Sequence, residues 1–137
     1  MDPIALMNGT VRLEDFLKIL AENQHQTVLI YSSQEADNVK RVQKFGAEKI
    51  ASLLEETTAQ IAKKAVEMGY TRLIVAGGET SGAVTKALGF DAFAIGESVA
   101  PGGPVIIPMK NNQIQLVLKS GNFGQENFFS QAIAMTE

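Results

Sequence analysis

Two short segments of this sequence place glycines beside hydroxyl, amide and charged side chains directly after apolar runs. The first segment, in AGGETSGAV, comprises Gly77, Gly78, Glu79, Thr80, Ser81 and Gly82. Glycine permits positive φ angles and lets a ligand approach the backbone closely. A helix that begins near Thr80, capped by Thr80 or Ser81, would turn the N–H groups of residues 78–82 outward. Those donors and the positive end of the helix dipole suit a phosphate.

The first segment matches neither of two well-known phosphate loops. Gly77 and Gly82 have the G-x-x-x-x-G spacing of a P-loop, but Ala83 follows where that motif has lysine. The glycines do not fit the G-x-G-x-x-G pattern of dinucleotide-binding proteins either. From the pattern alone, both an anion-binding loop and a structural strand-to-helix turn with a hydroxyl cap stay open.

The second segment, in KSGNFG, contains Lys119, Ser120, Gly121 and Asn122. It also follows a strand-like run and precedes a helix-like one. Lysine can supply a point charge, while glycine and asparagine can offer backbone or amide contacts. A solvated lysine beside an asparagine turn is the alternative. Because ligands of α/β sheets bind beyond the carboxyl ends of the strands, the two segments could flank one nucleotide.

Strand-like and helical segments alternate along the chain, which is typical of α/β proteins. The predicted strands are TVLIYSS, TRLIVAGG, FDAFAIG, PVIIPM and IQLVLKS, the last two joined in a hairpin. The predicted helices are VRLEDFLKILAEN, AEKIASLLEETTAQIAKKAVEMGY, ETSGAVTKALG and ENFFSQAIAMTE. We therefore predict a single α/β domain over residues 1–137, a three-layer sandwich in which a mostly parallel or mixed sheet has helices on both faces.

Composition excludes several classes of protein. The 137 residues are 45% hydrophobic and 20% charged, which is typical of globular domains. A net charge of −3 argues against a partner that is nucleic acid. The absence of cysteine excludes disulfides and thiolate metal sites, and no metal-ligand spacing stands out around the one histidine, His25. With no apolar run near the ~20 residues that span a bilayer, and no signal peptide, we predict a cytoplasmic protein without a membrane partner.

Five segments together resemble a known family. They are Asp2-Pro3, YSS at 31–33, AGGETSGAV at 76–84, IGESVAPGGP at 95–104 and LKSGNFG at 118–124. In this order and at this spacing they resemble the C-terminal nucleotide-binding domain of the four-carbon acid sugar kinases, which act on 3-oxo-tetronate, erythronate or threonate. The resemblance covers nearly the whole chain.

The resemblance implies that ATP, with Mg²⁺, transfers its γ-phosphate to the 4-hydroxyl of a four-carbon sugar acid. It identifies residues 77–82 with the first nucleotide-binding loop of the family. It identifies Gly121, with Lys119, Ser120 and Asn122 around it, with the second.

Family members also carry an N-terminal domain with an Asp-Asp substrate motif, which nothing in this sequence matches. The resemblance therefore implies that the sugar acid binds only in the complete enzyme, and we expect the chain alone to be inactive and to bind ATP weakly. A missing domain would leave an apolar docking face that favours a homo-oligomer. The alternative is a stand-alone nucleotide-binding or regulatory subunit that acts with a partner chain.

Overall fold

The computed structural model describes residues 1–32, 40, 46–120 and 125–137. Its helices in these ranges are α1 (Pro3–Met7), α2 (Leu13–Glu22), α3 (Ala47–Glu67), α4 (Gly78–Leu88) and α5 (Phe128–Met135). Its strands are β1 (Arg72–Ala76), β2 (Phe93–Ala100), β3 (Gly103–Pro108) and β4 (Gln115–Lys119). None of the helices in these ranges is both long and apolar enough to cross a membrane.

The four strands form one mixed sheet in the order β1-β4-β3-β2. β1 and β4 are parallel, with Ala76 opposite Lys119, whereas β3 is antiparallel to both β4 and β2. The strands β1, β4 and β2 consequently run in the same direction, and their carboxyl ends lie at one edge of the sheet. The residues that follow Ala76 and Lys119 are therefore neighbours, as the sequence predicts.

Helices cover both faces of the sheet. Leu116 and Val117 are adjacent in β4 and both are fully buried, and successive side chains of a strand point to opposite faces. Leu116 packs in a cluster with Val84 of α4, and Val117 packs in another with Phe128 of α5. This arrangement confirms the predicted three-layer α/β class. Of the two predicted kinds of sheet, mostly parallel or mixed, the structure has the mixed one.

The segment TVLIYSS is not the buried strand that its apolar residues predict. Residues 27–32 form no strand, and residue 33 lies outside the described ranges. Val28 and Ile30 instead pack against the helical cluster around Phe16 of α2, while Leu29 and Tyr31 are 68% and 61% exposed. A short apolar run favours burial without specifying its partner, and here the partner is the helical layer.

The long helix α3 confirms the predicted helix in this region and has an apolar stripe on one face. Ile50, Thr57, Ile61 and Ala65 are buried along it. After the helix ends, the Tyr70 hydroxyl donates a hydrogen bond of 2.8 Å to a carbonyl of α2. Helix α3 thereby lies between α2 and α4, and it supports the helix on which the candidate site is built.

Candidate functional site

The connection between β1 and α4 is one residue long. Gly77 has φ = 117°, a conformation that L-residues with side chains rarely adopt. A Cβ at this position would lie 3.1 Å from Thr80 Oγ1. The Gly77 N–H donates to the carbonyl of Lys119 at 2.7 Å, so the turn after β1 is fastened to the end of β4. Both the backbone conformation and the space therefore require glycine.

Helix α4 begins at Gly78 and has Gly77 as its N-cap, without any side-chain cap. The prediction that Thr80 or Ser81 caps the helix is therefore wrong, because the one-residue turn brings both into the first helical turn. The Ser81 N–H donates to the Gly77 carbonyl at 2.8 Å. The sequence predicts outward N–H donors at residues 78–82. Among these, the N–H groups of Gly78, Glu79 and Thr80 have no acceptor in the described residues.

A cleft of about 580 Å³ lies along one face of α4. Its helical wall follows the spacing of three and four residues that defines one helix face. That wall comprises Gly78, Ser81, Gly82, Thr85, Lys86 and, just beyond the helix, Gly89. The rest of the lining is Phe90, Asp91, Leu118 and Ser120. The volume falls within the range of small-molecule sites, about 300–1,000 Å³.

Both glycine-containing segments contribute to this cleft. A Cβ at Gly78 would lie 3.9 Å from Ser120 Cβ, so the two segments are in contact there. A Cβ at Gly82 would meet nothing within 4 Å, because that residue opens onto the cleft. The remaining residues predicted in the second segment, Gly121 and Asn122, lie outside the described ranges.

Ser81 has a buried hydroxyl at the edge of the cleft. The residue is 6% exposed, and its Oγ has no hydrogen-bond partner in the described part of the chain. Buried polar atoms are nearly always hydrogen-bonded in folded proteins. The Ser81 hydroxyl is therefore placed where a ligand in the cleft would reach it.

Glu79 is absent from the lining of the cleft, and its side chain contacts α3. A side-chain hydrogen bond with Glu79 is the largest cause that raises the pKa of Glu55. Desolvation and then the charge of Glu79 raise this pKa further. The carboxyl groups of Glu55 and Glu79 thus lie close together beside the start of α4. Sequence reasoning missed Glu55, since it is one of many acidic residues on a helix and has no distinguishing local signal.

Lys119, predicted as a point charge for the ligand, extends its side chain toward α5. Its Nζ lies 5.7 Å from the centre of the Phe128 ring, while the neighbouring Leu118 lines the cleft. Among the described residues, the cation that borders the cleft is Lys86. Counting three and four residues onward from Gly78 would have identified Lys86, whereas Phe90 and Asp91 have no signal in the sequence.

No group of three or more histidine or acidic side chains in the described ranges is placed to hold a metal ion. The described site is therefore a cleft bounded by glycines, hydroxyls and backbone donors at one end. Its other end has an aromatic ring and the carboxylate of Asp91, and Lys86 lies between the two ends.

The chain is similar to known proteins over most of its length. Residues 1–129 match the family model described as the nucleotide-binding C-terminal domain. The chain is 42% identical to a 3-oxo-tetronate kinase of Pseudomonas fluorescens and 41% identical to one of Cupriavidus necator, in each case over 134 residues. These alignments cover 97% of this chain and 31% of each relative.

A solved structure is similar as well. The crystal structure of a Haemophilus influenzae protein superposes with a TM-score of 0.83 at 37% identity, and the match covers 91% of this chain and 31% of that one. The chain thus spans about a third of the length of the relatives that it matches. As the resemblance predicts, it belongs to the family of nucleotide-binding C-terminal domains of the four-carbon acid sugar kinases.

Proposed function

We propose that the cleft along α4 binds ATP, accompanied by Mg²⁺, for a kinase that phosphorylates the 4-hydroxyl of a four-carbon sugar acid. The observation that carries this proposal is the donor set at the start of α4. Three N–H groups, at residues 78–80, lie beside the buried hydroxyl of Ser81, and none of these groups has a partner among the described residues. Such a helix N-terminus attracts phosphate through its free donors and its dipole.

The reaction class is supported by the relatives, which are named 3-oxo-tetronate kinases. Phosphoryl transfer depends mainly on positioning and on stabilising negative charge. We assign to this chain the task of holding the phosphates, with Gly78 and Gly82 leaving room for them. The sugar acid would be held by other residues of a complete enzyme. ATP and sugar acid are both metabolites of the cytoplasm, where we place the reaction.

Two carboxyl groups near the proposed position of the phosphates suit Mg²⁺. This ion usually keeps several waters and binds through one or two carboxylates and the substrate phosphates. Glu79 and Glu55 have carboxyl groups close to each other beside the start of α4, and these residues would hold the ion. When bound, Mg²⁺ would neutralise charge on the phosphoryl group that is transferred.

Isothermal titration with Mg-ATP tests the proposal. We expect the wild-type chain to bind, and Gly82→Val to bind at least about tenfold more weakly, because the new side chain would enter the open cleft. Ala51→Val is the matched control, since it places the same side chain on an exposed position of α3. No heat from the wild-type chain at millimolar Mg-ATP, or equal affinities for both valine variants, would show that the proposal is wrong.

The division of tasks has its own test. The isolated chain is incubated with Mg-ATP and a four-carbon sugar acid, and ADP is measured in a coupled assay. We expect nucleotide binding without release of ADP above the rate in buffer. Turnover at an enzyme-like rate would show that this chain also holds the sugar acid.

A further inference from the structure

Within this cleft, we propose that the nucleoside lies at the end farthest from Gly78, with its base against Phe90. ATP then runs along α4, with the phosphates at the helix N-terminus and the base at the C-terminus. This inference rests on the proposed function, and adds to it the direction of the nucleotide and a residue that contacts the base.

The helical wall of the cleft is long enough to have two distinct ends. Gly78 and Gly89 are eleven residues apart, which corresponds to about 16 Å along the helix axis at 1.5 Å per residue. A triphosphate that occupies the first turn therefore leaves the rest of the wall for the ribose and the base. Thr85 and Lys86 border this middle part.

The far end of the cleft offers an aromatic wall. Phe90 is half-buried and packs against the core cluster of α4 and the sheet. Its ring lies edge-to-face against that of Phe93, with centroids 6.3 Å apart, so its position is fixed from behind. Gly89, which has φ = 70° and no side chain, leaves space beside it. A fixed ring beside open space suits a nucleobase, which stacks favourably on aromatic side chains.

Electrostatics decides between the two possible directions. The C-terminal end of α4 carries the negative end of the helix dipole and free carbonyl groups, which repel phosphate. Asp91 adds a carboxylate at this end, although Lys110 lies 3.2 Å from it. Lys86 is the opposing feature, but an exposed ammonium is screened by solvent and does not match the directed N–H donors at Gly78. The phosphates therefore belong at the N-terminus of the helix.

Photolabelling with 8-azido-ATP tests the direction, because the azide marks residues beside the base. Trypsin cleaves after Arg72, Lys86, Lys110 and Lys119, so it separates the two ends of the cleft. We expect the label in residues 87–110, and excess ATP should prevent it. Label in residues 73–86, 111–119 or 120–137 would mean that the base lies away from Phe90 and would overturn the proposal.

A binding experiment tests the role of Phe90. Phe90→Leu keeps an apolar side chain but removes the ring, and we expect ATP to bind about 5- to 150-fold more weakly. Inorganic tripolyphosphate, which lacks a base, should bind this variant within twofold of the wild-type value. Gly82→Val should weaken both ligands. Equal losses of ATP and tripolyphosphate with Phe90→Leu, or no loss of either, would contradict the assignment of Phe90.

These outcomes separate the two proposals. If the wild-type chain binds neither ATP nor tripolyphosphate, the proposed function fails. If it binds both but the label lies in the wrong peptide, only the direction fails. Circular dichroism checks that Phe90→Leu is folded, and the photolabelling uses the unaltered chain, so it decides the direction even if this variant unfolds.

Discussion

The proposed role of the Ser81 hydroxyl predicts opposite effects of its removal on stability and on ATP binding. The Ser81 Oγ is buried at the edge of the cleft without a partner in the described residues. Ser81→Ala removes this oxygen and keeps the Cβ in place. We therefore expect the variant to be more stable than the wild-type chain without nucleotide, and to bind ATP more weakly.

The expected magnitudes follow from the two states of the hydroxyl. An unsatisfied buried polar group costs about 1–3 kcal/mol, so its removal should raise the free energy of unfolding by about that amount. A hydrogen bond to a charged phosphate contributes about 1.5–3 kcal/mol. Its loss corresponds to an increase of about 10- to 150-fold in the Kd for ATP.

The assay combines urea denaturation without ligand, titration calorimetry, and thermal melts over a series of Mg-ATP concentrations. Because ligand binding stabilises the folded state by mass action, the wild-type Tm should rise with ATP and overtake that of Ser81→Ala. Ser52→Ala is the matched control, since this serine is exposed on α3. This variant should change the free energy of unfolding by no more than about 0.5 kcal/mol and should leave the Kd for ATP unchanged.

Two results would refute the reasoning. If Ser81→Ala is less stable than the wild-type chain in the absence of ATP, the hydroxyl already has a partner such as bound water. If the variant is more stable but binds ATP with unchanged Kd, the hydroxyl is buried without contacting the ligand. In that case the phosphates are held by backbone donors alone.

Three further variants test the contacts and turns around the cleft. The hydrogen bond with Glu79 raises the pKa of Glu55, so the stability that this pair contributes is present below the ordinary glutamate pKa and is lost as pH rises through the raised value. Glu79→Gln should therefore be more stable than wild type at pH 7 but not at pH 4, in thermal melts at low salt. Gly77→Ala should lower the free energy of unfolding by about 1–3 kcal/mol in urea denaturation, because φ = 117° is strained with a side chain. Tyr70→Phe should lower it by about 0.5–1.5 kcal/mol while leaving the Kd for ATP unchanged, since its hydroxyl bonds to α2 away from the cleft.

The elements that sequence reasoning identified correctly are those with local signals. Helix α3 has an apolar stripe at helical spacing and a glycine beyond its end, and the β3–β4 hairpin has two apolar runs around a short polar turn. The segment at residues 27–32 has a comparable apolar run but no local feature that selects its partner. Whether such a run pairs with a strand or packs on helices depends on residues distant in the chain. That choice lies beyond what one segment can predict.

The candidate site shows the same division between local and distant information. The glycines of the first segment were recognisable because Gly77 needs a positive φ and Gly78 and Gly82 leave space. The sequence predicts that α4 begins near Thr80, two residues later than it does, because a hydroxyl residue is the usual N-cap. Gly77 is the N-cap instead and makes the turn by its backbone alone. This difference changes which N–H groups are available to a phosphate.

The residues missing from the sequence prediction explain what sort of site this is. Beside the glycines and backbone donors, the sequence predicts a capping hydroxyl and a charge from Lys119, whereas Gly77 is the cap and Lys119 lies near the Phe128 ring. The cleft depends on side chains that are absent, at Gly78 and Gly82 of the first segment, and on backbone donors that every residue possesses. Such a site leaves few marks in composition, and its extent becomes visible only when one face of α4 is followed from Gly78 to Phe90. Counting at helical spacing from Gly78 predicts the residues that α4 contributes to that face, because their positions depend only on the helix itself. The residues that other segments contribute depend on the fold and cannot be counted in this way.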